Sequence, residues 1–88
     1  MDNNASLKNT ITELATPSGD KIKCTLNFFL LYGVKSKHPD AYSQYNKILM
    51  DGMKDVFDAL TILYVGYLCA NPELDIPMAY ENFLKLLG

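Results

Sequence analysis

Arginine and tryptophan are missing from this chain, histidine occurs once and cysteine twice among 88 residues. Each gap excludes something. Without Arg there is no bidentate fork for phosphates or guanine edges, so nucleic acid is a poor partner. His38 has no Cys, Asp or Glu at ligand spacing on one helix face, and a zinc site needs three or four protein ligands. It reads as a helix-end residue rather than an acid or base. Cys24 and Cys69 show no CxxC spacing and no paired base, so both read as small buried hydrophobes rather than nucleophiles. A domain this small in an oxidising compartment usually carries more bridges, and both cysteines are therefore expected as free thiols. There is no P-loop or GxGxxG; the glycines at 19, 33, 52, 66 and 88 are scattered. The expectation is a non-enzymatic chain with no cofactor and no metal.

Charge of one sign is scarce too. Eight Lys face ten acidic residues, giving a net charge of −2 and a pI near 5.1. Residues 1–44 hold five Lys and four acids, residues 45–88 three Lys and six acids. Neither half carries the dense positive field that nucleic-acid binding needs. Lys35 and Lys37 beside His38 suit a helix C-terminus. Long apolar runs are also lacking: the longest uncharged stretch, Ala59–Pro72, has 14 residues, short of the roughly 20 of a membrane span. The polar start Met1–Ser6 has neither the basic nor the apolar region of a signal peptide. A cytoplasmic protein with reduced thiols is expected.

What is present is apolar and patterned. Hydrophobic residues make up 49% and charged ones 20%, which excludes a disordered chain and fits one modest core. Residues 1–9 read as a disordered tail and 10–88 as a single domain. Thr10–Ala15 and Lys21–Leu26 read as the strands of a hairpin, because the second alternates strictly and Thr16–Asp20 supplies Pro and Gly for the turn. Two strands alone are marginal, so the hairpin must lie on helices or gain a strand from a partner. A helix is expected from about Leu26 to Lys37, capped by Thr25 or Asn27, and His38-Pro39 breaks it.

A second helix runs from Pro39 to about Met50, with Tyr42, Tyr45 and Leu49 as its buried stripe. A third, Met53–Ala70, is apolar on most sides and reads as central. Asp51, Asp55 and Asp58 form its narrow polar strip. They read as a solvated face with Lys47 and Lys54 four residues ahead of Asp51 and Asp58, while Asp55 and Asp58 also suit a helix start. Asp75 caps a last helix with Pro77 in its first turn, and Tyr80, Phe83, Leu84 and Leu87 form its apolar face. The fold class is α+β, mainly α: three to four helices packed with a short N-terminal β-hairpin. Six Tyr and four Phe exceed what so small a core needs, which leaves a helix face for a partner.

One stretch resembles a known family. Ala59-Leu60-Thr61-Ile62-Leu63-Tyr64-Val65-Gly66-Tyr67-Leu68, then Asn71-Pro72-Glu73-Leu74-Asp75-Ile76 and a closing helix, is similar to the tail assembly chaperones of long-tailed bacteriophages and prophages. In those small proteins an apolar helix with a Tyr/Ala–Gly–Leu run leads into an Asn- or Asp-Pro turn and a short terminal helix. The Lys21–Phe28 strand followed by helices is similar to their layout, and the resemblance spans residues 10–88. The short N-terminal strand region and the absence of Arg depart from the family and leave the partner surface undefined. The resemblance implies a non-enzymatic, non-virion protein of the bacterial host cytoplasm. Such a protein coats the tape-measure protein and recruits tail-tube subunits, often with a longer form made by ribosomal frameshifting. It brings no catalytic residues.

The reading is therefore a phage tail assembly chaperone, with homo-oligomerisation left open and with neither nucleic acid nor membrane as partner. The alternative is a small helical protein-binding regulatory module unrelated to phage tails. Docking by helix in groove or by strand addition to the hairpin both fit. The groove beside the last helix is preferred, with Tyr80, Phe83 and Leu87 as partner-binding residues.

Overall fold

The computed structural model describes residues 12–88; the expected tail over 1–9, with Thr10 and Ile11, lies outside the described residues. The hairpin is β1 (Thr12–Ala15) and β2 (Lys21–Cys24), followed by α1 (Phe28–Lys37), α2 (Pro39–Asp51), α3 (Val56–Ala70) and α4 (Tyr80–Leu87). Among the described residues the fold is α+β, mainly α, with four helices and a two-stranded antiparallel hairpin.

In the hairpin, Leu14 pairs with Ile22 and Glu13 with Lys23. Gly19 takes a positive φ of 94° in the turn, and its N–H donates to the Thr16 carbonyl at 2.9 Å. The alternation places Ile22 and Cys24 inside and Lys21 and Lys23 outside. β2 ends at Cys24, two residues before the sequence pattern does, because the Thr25 N–H turns to the Gly66 carbonyl of α3 at 3.0 Å. Strand and helix approach closely at Gly66: a Cβ there would lie in contact, 3.4 Å from both the Cys24 Cβ and the Thr25 carbonyl oxygen, and would fill the space at the crossing. Gly66→Val adds two further methyl groups at this crossing. It is expected to lower stability by about 1–3 kcal/mol, the usual cost of overpacking, read as a lower urea midpoint; an unchanged midpoint would show that the crossing has slack.

Asn27 caps α1, its Oδ1 accepting from the Leu30 N–H at 3.0 Å. His38 is the single residue between α1 and α2, with Pro39 at the first position of α2. The buried residues of α2 are Tyr45 and Ile48, whereas Leu49 is exposed. Tyr42 and Tyr45 of the expected stripe face the core, but its third member does not: the packed arc runs on through Ile48, and Leu49, a further 100° round, turns past its edge. α3 begins at Val56, not Met53. Asp55 Oδ1 accepts from the N–H groups of Phe57 at 3.0 Å and Asp58 at 3.2 Å. Asp58 in turn accepts from the Lys54 N–H at 2.7 Å. Asp55 and Asp58 are caps, and Lys54 lies outside the helix, so its expected side-chain pairing with Asp58 along a helix face does not arise.

α3 is central. Val65 to Cys69 are buried in succession, and α3 packs against β2, α1, α2 and α4. α4 starts at Tyr80 rather than near Asp75. Met78 explains the delay, because both of its backbone groups are taken by tyrosines of α3: Tyr64 donates to its carbonyl at 2.8 Å, and its N–H donates to the Tyr67 hydroxyl at 2.9 Å.

Candidate docking surface

The sequence places the partner site on α4, and the structure turns that face inward. Phe83 is 0% exposed, with its ring 5.3 Å from Tyr64 and 5.6 Å from Tyr67. It is a core residue and offers no surface, which corrects its assignment as a contact. Tyr80 and Leu87 are half-buried; the Tyr80 ring meets Tyr64 edge-on at 5.3 Å. The reason is amphipathicity. α4 has a single apolar face, which packs chiefly against α3, so Glu81, Asn82 and Lys85 take the solvent side.

The free apolar surface lies on α1. Phe28 is 90% and Phe29 80% exposed, and Tyr32 and Leu26 join them. Phe28–Tyr32 are apolar at five successive positions, so side chains project all round the helix, and Leu26 lies just before its Asn27 cap. A ten-residue helix lying on a small core buries one arc only. Here that arc is Leu30, Leu31 and Val34, and the aromatic residues are left outside. A second exposed group, Leu49, Met50, Met53, Val56 and Phe57, lies about the turn from α2 to α3.

Beside the α1 aromatics opens a cleft of about 700 Å³. Leu14 of β1, Cys24 of β2, Leu26, Phe28, Tyr45 of α2 and Leu63 of α3 contribute to its walls, and among the described residues none that lines it is charged. At its floor the Cys24 thiol lies 3.6 Å from the Leu63 carbonyl and is positioned to donate to it. Lys35 stands off to one side, its Nζ 5.4 Å from the centre of the Tyr42 ring. The surface can bury apolar matter.

Cys24 and Cys69 are free and buried. Burial raises the Cys24 thiol above its usual 9.0, and it pushes Cys69 up to about 11, partly offset by a hydrogen bond from the Asn27 backbone. Both are neutral at pH 7, whereas the thiolate is the nucleophile. Desolvation, then the neighbouring Lys37, lowers His38 below its usual 6.5. Among the described residues there is no group of three or more His, Cys, Asp or Glu that could hold a metal ion, and no helix is long and apolar enough to cross a membrane.

A pH prediction follows from the raised thiols. The folded state holds these protons more tightly than the unfolded chain, so their contribution is complete below pH 9 and is lost as pH rises towards about 11. Urea midpoints are expected to fall across that range. At pH 8 a thiol reagent should react slowly with the native protein and find two thiols once it is unfolded without reductant. Fast reaction of the native protein would contradict the burial.

No family model matches the chain, and no curated protein or solved structure matches it at a significant level.

Proposed function

We propose that this chain is a non-enzymatic protein-binding domain that works as a phage tail assembly chaperone. It covers an apolar helix of a tape-measure protein and keeps it soluble until tail-tube subunits assemble. The family part of this reading rests on the resemblance of the 59–76 run. The place of docking rests on one observation: Phe28 and Phe29 stand 90% and 80% exposed at the mouth of an uncharged cleft. Monomeric soluble proteins rarely leave such a surface without a use, and an uncharged lining favours an apolar ligand, since a buried unpaired charge is costly. Helix-in-groove docking fits the cleft between the hairpin, α1 and α3. An acidic chain with no Arg adds no competing attraction to nucleic acid.

The test is co-expression with the tape-measure protein encoded beside it. The proposal expects more of that protein in the soluble fraction and its recovery together with this chain. No gain in solubility and no co-purification would defeat the chaperone reading and leave the regulatory protein-binding module in its place.

A further inference from the structure

The C-terminal segment is attached to the rest of the molecule chiefly through α3, with Gly88 at its end close to the Pro17 ring of the hairpin turn, and we infer that residues 73–88 form a lid that opens as a unit while the hairpin, α1, α2 and α3 stay folded. Its fixed end is at Asn71 and Pro72. There the Asn71 side chain donates to the Tyr67 carbonyl at 2.9 Å, and Lys37 Nζ donates to the Pro72 carbonyl at 3.1 Å. Beyond that point the strap has neither helix nor strand and leaves Leu74 and Ile76 exposed. Its attachment is concentrated at Met78, whose carbonyl and N–H are held by the Tyr64 and Tyr67 hydroxyls. Three residues apart on α3, the two phenols reach the strap from one face.

α4 adds its anchors to the same two rings. Phe83 packs on Tyr64 and Tyr67, and Tyr80 packs on Tyr64 while its hydroxyl donates to the Phe57 carbonyl at 3.3 Å. Latch and ring cluster share Tyr64 and Tyr67, so they part together. α4 packs chiefly on α3, whereas β2, α1 and α2 meet α3 through contacts of their own that release of α4 does not touch. An eight-residue helix without a side-chain N-cap is too short to persist undocked. Opening is therefore one cooperative step below global unfolding. It bares Tyr64, Tyr67 and Phe83, an apolar surface hidden in the closed form. The lid makes part of the molecule's apolar surface conditional, and it does so whether or not α1 binds the proposed partner.

Native-state hydrogen exchange on the full chain tests this, comparing amides of α4 with the slowest amides of α3. Val34→Ala loosens α1 in a part of the core away from the lid. It is expected to speed exchange in α3 and leave α4 unchanged, because Val34 keeps its contacts in the open form. Tyr67→Phe removes the partner of the Met78 N–H and is expected to speed exchange in α4 about tenfold, the factor that one unpaired buried donor is worth. If Val34→Ala does not fold, Ile48→Val makes the same comparison from α2, where Ile48 is buried. Equal acceleration of α3 and α4 by Val34→Ala or Ile48→Val, or an α4 as slow as α3 in the native sequence, would overturn the lid.

Discussion

Phe83→Ala is expected to destabilise the closed fold by about 3–5 kcal/mol, the range found for removing a buried phenylalanine ring. The ring is fully buried, and two tyrosine rings lie against it at 5.3 and 5.6 Å. Alanine would leave a cavity whose walls cannot simply close, because Tyr64 and Tyr67 are held by their hydroxyls to Met78. A domain of 88 residues has roughly 4–13 kcal/mol of stability in all, so the loss is a large share of the total. A strongly lowered urea midpoint is the expected reading. A change below about 0.5 kcal/mol, the usual size of a surface effect, would return Phe83 to the surface that the sequence pattern assigned it.

Phe28→Asp combined with Phe29→Asp is expected to have the opposite profile: capture of the apolar partner lost, fold kept. Both rings are exposed, and neither belongs to the packed core, so the change falls in the class worth about 0.5 kcal/mol or less in stability. Binding is different. Two carboxylates at the mouth of this cleft would have to be desolvated against an apolar helix, with no cation among its described lining residues to pair them. Co-purification of the partner should disappear while far-UV circular dichroism and urea midpoint stay near those of the native chain. Retained capture would remove α1 from the docking surface.

The different fates of Phe83 and Phe28 show what the sequence discloses. Fold class, hairpin, the break at His38-Pro39 and the central helix all follow from local pattern, because turn residues, caps and periodicity act over a few positions. Asn27 and Asp55 are legible for the same reason, as capping is local. The start of α4 is not, since Asp75-Ile76-Pro77 is a sound helix opening by local rules. What delays the helix is the pair of tyrosines on α3 gripping Met78, a contact between residues 11 and 14 positions apart. Leu49 and Ile48 are likewise separated only by which arc of α2 meets α3.

The docking surface fails to read out for a related reason. Aromatic surplus tells that something apolar is left over, and periodicity on α4 marks a clean apolar face. A clean face on a short terminal helix is, however, what a core needs, and α4 spends it on α3. The remainder falls to α1, where Phe28-Phe29-Leu30-Leu31-Tyr32 has no clean face at all. A helix apolar on every side usually lies wholly inside, and that is unattainable for a segment packed at the edge of so small a core. That excess over one buried arc is the signal that points to α1.

The most direct measurement of the central claim is a hydrogen-exchange footprint of the chain with the apolar tape-measure segment bound. The account predicts slowed exchange over residues 26–32 and across 62–66 on the facing wall of α3, with the amides of α4, residues 80–87, unaffected. Protection confined to α4, with none at Leu26–Tyr32, would contradict it.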